Sequence, residues 1–337
     1  MSKVVIAILN WNGEKFLERF LPSVVRFASD AEIVVIDNAS TDRSIKFLKK
    51  NFPEIRIVSL DKNYGFAEGY NRGLKCIDST YYILLNSDVE VTKNWWQPLI
   101  NLLEADSNIG AVQPKIVSYN AKNKFEYAGA SGGFLDKYGY PFCRGRILDT
   151  IEEDSGQYDR LIQVFWASGA AMAIKAEVFH KLNGFDGEFF AHMEEIDLCW
   201  RMQHAGYSIY CEPKSVVYHV GGGTLPNESP FKLYLNFRNN LFMLYKNLPS
   251  NEFIPILFIR ICLDGVAALQ YLIKNNLNAV KSVWKAHMQF YKNLPRLNKQ
   301  RKVLQKAKQF TAKRYTKSIL WEYFMRGNRT FSQLNRD

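Results

Sequence analysis

Apolar and polar positions alternate along the first third of the chain so as to spell strand and helix in turn. Residues 4–9 form an unbroken apolar run of strand length, and Phe16, Leu17, Phe20, Leu21, Val24 and Phe27 follow at helical spacing. Residues 33–36 are a second apolar run ending at Asp37. The turn Asn38-Ala39-Ser40-Thr41-Asp42 then offers helix caps ahead of Ile45, Phe47 and Leu48. Residues 57–60 predict a third strand, 65–75 a helix bearing Phe66, Tyr70 and Leu74, and 82–85 a fourth strand stopping at Asn86-Ser87-Asp88. A helix around 95–103 and a strand at 110–113 continue the series. Short apolar runs alternating with helices predict an α/β fold whose central sheet is mostly parallel and covered by helices.

The rhythm then changes. Residues 115–165 scatter Gly129, Gly132, Gly133, Gly139 and Gly145 among aromatics, which predicts hairpins or a substrate-facing loop region. An ordered block at 164–179 leads to Gly184-Phe185-Asp186 and a helix through Glu194, Asp197, Trp200 and Arg201. Residues 253–273 are mostly apolar and long enough to cross a bilayer, but Pro255, Arg260 and Asp264 interrupt them. On a helical projection Arg260, Asp264, Tyr271 and Lys274 share one stripe, and Phe258, Cys262, Leu269 and Ile273 oppose it. That suits a helix lying in a membrane interface or packing on the catalytic domain better than one spanning lipid.

Composition narrows the class. With 337 residues, 47% hydrophobic and 23% charged, the chain can bury a large globular core plus an appendage. Five cysteines without CxxC spacing predict reduced thiols in a cytosolic compartment, and residues 1–6 show no signal-peptide pattern. The expected location is cytoplasmic. The net charge of +11 is uneven: residues 246–337 hold 18 Lys and Arg against 4 Asp and Glu, and the rest of the chain is slightly acidic. This divides the chain into a first region at 1–245, regular over 1–114 and less regular over 115–245, and a basic helical region at 246–337. Lys281, Lys285, Lys292, Arg296, Lys299, Arg301, Lys302, Lys306 and Lys308, interleaved with Trp284, Phe290 and Tyr291, point to an anionic membrane surface. No nucleic-acid motif is legible, so nucleic acid is the weaker partner. A homo-oligomer stays open.

Candidate chemistry gathers at strand ends. The phosphate loop and the dinucleotide fingerprint are both missing, and the triplet Gly221-Gly222-Gly223 is a weak signal. Asp37, Asp88 and the turn Asn10-Trp11-Asn12-Gly13 all follow apolar strands directly, so they crowd the carboxyl edge of one sheet, where ligands bind in α/β folds. Glu194, Glu195 and Asp197 lie within four residues. Adjacent acids raise one another's pKa, which suits a general base working near neutrality. The structural alternative is an acidic helix start with Asp197 paired to Arg201. His192 and His204 read as surface or satisfied helix histidines, and Trp95-Trp96 and Phe189-Phe190 as packing.

In order along the chain, Ile8-Leu9-Asn10-Trp11-Asn12-Gly13, Val34-Val35-Ile36-Asp37-Asn38-Ala39-Ser40-Thr41-Asp42, and Asn63-Tyr64-Gly65-Phe66-Ala67 with Gly69, Asn71 and Gly73 resemble family 2 glycosyltransferases of the GT-A fold. The likeness continues through Leu84-Leu85-Asn86-Ser87-Asp88, Ala167-Ser168-Gly169-Ala170, Gly184-Phe185-Asp186, the Glu194–Arg201 block, Tyr218-His219 and Arg238-Asn239. It covers about residues 3–245 and points to the bacterial branch containing rhamnosyltransferase-like enzymes of surface-polysaccharide assembly.

The resemblance implies an inverting, metal-dependent transfer from a nucleotide-diphosphate sugar to a glycan or lipid-linked acceptor, peripheral on the cytosolic face of the membrane. Asn10, Asn12, Asp37, Asn38, Ser40, Asn63, Gly65, Asn71, Asn86, Ser87 and Asp88 would bind the donor. Trp166, Ser168, Gly169, Arg201 and Arg238 would lie near the sugars. Asp88 and His219 would hold Mg²⁺ or Mn²⁺, and Glu195 would be the base, with Glu194 and Asp197 as alternatives. Two positions depart from the family pattern: Asn86 stands for the first Asp of D-x-D, and Glu195 for the usual Asp base. The competing readings are a nucleotidyltransferase making sugar nucleotides and a non-catalytic glycan- or lipid-binding protein of the same fold.

Overall fold

The computed structural model describes residues 3–221, 229–306 and 313–334. Gly222 and Gly223 of the glycine triplet and Lys308 of the basic region lie outside the described residues. The first seven elements follow the predicted runs: β1 (Val4–Asn10), α1 (Glu14–Phe27), β2 (Glu32–Asp37), α2 (Ser44–Asn51), β3 (Arg56–Ser59), α3 (Gly65–Leu74) and β4 (Tyr81–Asn86). They are followed by β5 (Val89–Val91), α4 (Gln97–Ala105) and β6 (Ile109–Ser118).

The stretch at 115–165 forms a small antiparallel sheet of β7 (Gly133–Leu135), β8 (Pro141–Cys143), β9 (Arg146–Ile147) and β10 (Thr150–Ile151), then β11 (Ile162–Gln163). Next come β12 (Ala171–Lys175), α5 (Ala176–Lys181), α6 (Glu194–His204) and β13 (Ser208–His219). The helices α7 (Pro230–Asn247), α8 (Ser250–Ile273), α9 (Leu277–Lys292), α10 (Leu294–Lys306) and α11 (Ile319–Phe324) close the chain.

The main sheet runs β11-β13-β6-β12-β4-β1-β2-β3, with β5 paired to β13. Strands β3, β2, β1 and β4 are mutually parallel, with the helical crossovers α1, α2 and α3 that parallel pairing requires. Their register sets Asn10 level with Asp37 and Leu9 level with Asn86, so the polar strand ends share one edge. Beyond them β12 runs antiparallel to both β4 and β6, while β13 is parallel to β6.

Alternate residues of each buried strand feed two cores. Val5, Ala7, Val34, Ile36, Tyr82 and Leu84 pack with Ala67, Tyr70 and Leu74 of α3. Ile6, Ile8, Val35, Ile83 and Leu85 pack with Leu17, Leu21 and Val24 of α1.

The C-terminal elements are tied to the rest. Residues 313–334 return to the small sheet, where the Tyr315 amide donates to the Leu135 carbonyl and the Ile319 amide to Asp136 Oδ2. Helix α8 packs with the opposite polarity from an ordinary amphipathic helix. Its charged stripe faces inward, with Arg260 and Asp264 buried, and its apolar stripe faces outward. All five cysteines are unpaired thiols.

Candidate active site

The parallel strand ends build a polar floor. Asn10 Nδ2 donates to Asp37 Oδ1 at 3.2 Å and to Ser40 Oγ at 3.1 Å, and Ser40 N donates to Asp37 Oδ2. Asn12 N donates to Ser40 Oγ, and Asn12 Oδ1 accepts from Thr41 N at 2.7 Å, which locks the two loops together. Ser87 borders the same floor: a Cβ on Gly13 would stand 2.3 Å from Asn10 Oδ1 and 3.5 Å from Ser87 Oγ. Asn10 and Asp37 are buried, yet Asn10 Oδ1 has no hydrogen-bond partner. Such a group at a strand end is open to a ligand's donor atom.

Two further carboxylates converge on His219 at the end of β13. Its Nε2 lies 3.1 Å from Asp88 Oδ1, and its Nδ1 lies 3.4 Å from Glu126 Oε1, an ion-pair distance without a well-formed hydrogen bond. Burial works to lower the imidazole pKa, but Asp88 and then Glu126 overcome it and hold the group at about 10. Without a bound cation this holds the ring protonated between two acids; a metal ion at Nε2 would take the place of that proton. Glu126 is itself fixed, since its Oε2 accepts from Ala128 N.

Carboxylate oxygens with one imidazole suit Mg²⁺ or Mn²⁺. Among the described residues no group of three or more His, Cys, Asp or Glu side chains is arranged to hold a metal ion, so Asp88 and His219 would have to share one with substrate oxygens. The set thus fits a cation that takes its remaining ligands from a bound diphosphate.

The acidic cluster opens α6 after a constrained loop. Phe190, His192 and Met193 have φ of 65°, 70° and 71°, a left-handed region that costs non-glycine residues roughly 1–2 kcal/mol each. Hydrogen bonds over-determine this loop. Arg238 Nη2 donates to the Glu188 and Phe189 carbonyls, and Asn239 Nδ2 to those of Phe189, Ala191 and His192 at 2.7–2.9 Å. The Phe190 carbonyl accepts from the Phe66 and Ala67 amides at the start of α3. Gly65 is required there: its φ is +73°, and a Cβ would lie 2.5 Å from the Phe190 ring.

The loop delivers Glu194 and Glu195, each with an Oε2 that has no hydrogen-bond partner. Burial pushes Glu195 up to about 7. Burial, with Glu195 beside it, raises Glu194 well above the carboxylate range. The His192 ring is pushed down to about 4 by burial and by Lys232.

Backbone contacts join these parts in one crevice. Asn86 N donates to the Ala170 carbonyl at 3.0 Å, and a Cβ on the preceding Gly169 would stand 3.9 Å from Glu195 Cβ. Lys232 of α7 interacts electrostatically with both Glu126 and His192.

Other predicted residues serve as scaffold. Asn38 ties Asn63, Tyr64 and Gly65 together, and Asn71 grips the Phe185 backbone through both its amide atoms. Ser168 is buried and bonded to Gln113 and to the Ala128 carbonyl. Trp166 is packed inward, with its indole donating to the Phe134 carbonyl, so it does not border an acceptor as the sequence suggested. Arg201 bonds Asp197 and the Leu182 and Gly184 carbonyls, and Arg238 is spent on the loop. His204 is satisfied by the Asn247 carbonyl.

Asp197 is fully enclosed. Arg201 Nε lies at 2.8 Å, Lys246 Nζ at 3.0 Å and Asn247 Nδ2 at 2.8 Å. Burial alone would raise its pKa, but Lys246 and Arg201 hold it below the usual value. Such a carboxylate anchors α6 to α7 and has no lone pair left for an acceptor. Lys246 also pairs with Asp186 at 2.7 Å, and Arg296 of α10 reaches the same Asp186. The sequence reading missed Glu126, Lys232, Lys246 and Asn247. Glu126 sits in the irregular stretch, and the others lie far down the chain from the acids they meet.

The chain is 26% identical over 245 residues to the N-acetylglucosaminyl-diphospho-decaprenol L-rhamnosyltransferase of Mycobacterium tuberculosis, covering 65% of this chain and 76% of that one. It is 22% identical over 223 residues to rhamnosyltransferase WbbL of Escherichia coli, covering 64% and 83%. Among solved structures, the mannosyltransferase PcManGT of Pyrobaculum calidifontis, in complex with GDP-Man and Mn²⁺, superposes with a TM-score of 0.51 at 16% identity, covering 90% and 85%. The model of the family described as "Glycosyl transferase family 2" matches residues 4–182. That match takes in more than half of the chain, which therefore belongs to glycosyl transferase family 2 and is a glycosyltransferase of the GT-A fold.

Proposed function

We propose that the protein transfers a sugar, with inversion at the anomeric carbon, from a nucleotide-diphosphate donor to a lipid-linked acceptor in cell-envelope polysaccharide assembly. A rhamnosyltransferase-like donor choice is the reading the two relatives' names support. One observation carries it: Asn86, two residues before Asp88, bonds the Ala170 carbonyl, and a Cβ on Gly169 beside it would stand 3.9 Å from Glu195 Cβ, which brings the turn bearing Asp88 near Glu195.

Asp37 and Asn10 would bind the nucleoside end, and Lys232 would meet diphosphate charge. Asp88 and His219 Nε2 would hold Mg²⁺ or Mn²⁺, with Glu126 at Nδ1 fixing the ring so that Nε2 faces the cation. When bound, the cation neutralises the diphosphate and makes it a better leaving group.

Glu195 is the base. The acceptor hydroxyl gives its proton to the Glu195 carboxylate as its oxygen bonds the anomeric carbon, and the bond from that carbon to the diphosphate oxygen breaks. A pKa of about 7 lets Glu195 take and release a proton at neutral pH. Glu194 is buried more deeply beside it, and burial with Glu195 next to it raises Glu194 well above the usual carboxylate range. Asp197 keeps α6 in place. The substrates put the reaction at the cytosolic face of the membrane, with the enzyme bound peripherally.

The test is hydrolysis of a panel of nucleotide-sugars by the full chain, with and without Mn²⁺ or Mg²⁺. One donor should be hydrolysed, and chelation should abolish it. If no nucleotide-sugar is bound or turned over, or if turnover survives chelation unchanged, the reading fails.

A further inference from the structure

Helix α8 has the polarity of a helix that needs an apolar medium on its outer side. Ile254, Phe258, Cys262, Val266, Leu269 and Ile273 recur every three to four residues and form one exposed stripe, with Phe258 67% and Ile273 74% accessible. The inward face is mixed: Ile256 is buried and Phe253, Leu257 and Ile261 pack on the core, and among them the charged pair Arg260 and Asp264 is buried too. Arg260 Nε donates to Asp264 Oδ1 at 2.9 Å, His287 of α9 lies 3.2 Å from Asp264 Oδ2, and the Arg260 guanidinium sits 3.8 Å over the Tyr140 ring. A soluble amphipathic helix turns its charges to solvent and its apolar stripe to the core. Only 17% of the most apolar window of α8 is buried.

We infer that this outward stripe, with the basic surface beside it, docks α8 lengthwise into the headgroup region of an anionic bilayer. Three observations select a membrane as the occupant. The stripe runs from Ile254 to Ile273 of one helix, on the order of 30 Å, so its partner must be extended. The neighbouring α9 exposes Leu277, Trp284 and Met288 among Lys281, Lys285 and Lys292, the aromatic–cationic mixture of interfacial helices. The region from residue 246 onward carries 18 basic against 4 acidic residues, complementary to anionic headgroups.

The buried Arg260–Asp264–His287 cluster fastens α8 to α9 by the polar side, which holds α8 along the protein surface rather than across the bilayer. The surface also connects to the chemistry. Ser282 of α9 donates to the Pro230 carbonyl at the start of α7, and α7 carries Arg238 and Asn239, which hold the loop before Glu195. Docking would therefore present the crevice to a lipid-borne acceptor. In that respect it rests on the proposed lipid-linked acceptor, while the docking itself does not.

The experiment is co-sedimentation of the full chain with vesicles of phosphatidylcholine alone or with phosphatidylglycerol, at low and high salt. Phe258→Ser/Leu269→Ser and Lys281→Glu/Lys285→Glu are the variants, with circular dichroism to confirm folding and light scattering for mass. The native chain should bind anionic vesicles more tightly than neutral ones, less so in high salt, with a blue shift of tryptophan emission. The apolar pair should lose about tenfold or more in binding at unchanged fold, and the charge pair should lose the preference for anionic lipid. The inference is overturned if the native chain stays in the supernatant with both vesicles, or if the apolar pair binds like the native chain. It is equally overturned if the stripe holds a dimer that the apolar pair splits. Donor hydrolysis needs no vesicles, so failure here leaves the glycosyltransferase reading intact, and the reverse holds as well.

Discussion

Lys246→Met removes the cation at the centre of the acid network while keeping most of the side-chain volume. Lys246 Nζ is 2.7 Å from Asp186 and 3.0 Å from Asp197, and all three groups are buried. The substitution leaves Asp197 with Arg201 and Asn247, and Asp186 with Arg296 and Gln300, so two buried acids lose the cation they share. Breaking a buried pair by removing one partner costs about 3–5 kcal/mol, because the remaining charge is no longer fully compensated. For a chain of this size that lowers Tm by roughly 4–7 °C.

The loss depends on pH with a definite sign. Asp186 and Asp197 both titrate below the usual carboxylate range in the folded protein, against the effect of burial, chiefly because of Lys246. Their contribution is thus present above the unfolded value near 4 and fades as pH falls through the depressed folded values. The gap between the native chain and Lys246→Met should be full at pH 7 and shrink below about pH 4. Asp197→Asn added to Lys246→Met should recover part of the loss. Chemical denaturation of all three proteins at several pH values checks this. A single variant within about 1 kcal/mol of the native chain, or a gap that widens in acid, would refute the reasoning.

Three more outcomes follow. Glu126→Gln should weaken Mn²⁺ binding by about 10–100-fold with donor present, read by Mn²⁺ paramagnetic resonance rather than turnover; unchanged affinity would remove Glu126 from the site. Turnover under saturating donor should rise with pH through about 7, where Glu195 loses its proton, and fall on the acid side; a profile flat from pH 5 to 8 would exclude Glu195 as the titrating base. Gly65→Ala should cost roughly 1–3 kcal/mol of stability and lower kcat, since its Cβ would meet Phe190 at 2.5 Å and push on the loop before Glu195; native Tm together with native kcat would count against that packing.

Much of the fold was legible because the parallel strands are buried on both faces and read as unbroken apolar runs. The same runs marked Asp37 and Asp88 as following strands; Asp37 ends β2 level with Asn10, and Asp88 lies in the turn two residues past the end of β4. Strand β13 was harder to see, because its register slips between Glu212 and Val216, where Pro213, Lys214 and Ser215 break the apolar pattern. Glu126 was invisible because its approach to His219 depends on a connection spanning more than ninety residues.

Helical spacing gathered Glu194, Glu195 and Asp197 but could not rank them. Lys246 does that, by occupying Asp197, and it lies 49 residues downstream. The two stripes of α8 were both read from periodicity. Which stripe faced the protein was not, because burying the charged one required Tyr140 and His287 from distant segments.

Glu195→Gln tests the central claim most directly. It keeps shape while removing the group that accepts the acceptor's proton. Single-turnover transfer should be measured with donor, Mn²⁺ and a lipid-linked acceptor analogue, together with donor affinity. Transfer should fall by about 10²–10⁴-fold with donor affinity unchanged. Transfer within about threefold of the native rate would contradict the account, because no proton acceptor at position 195 would then be needed.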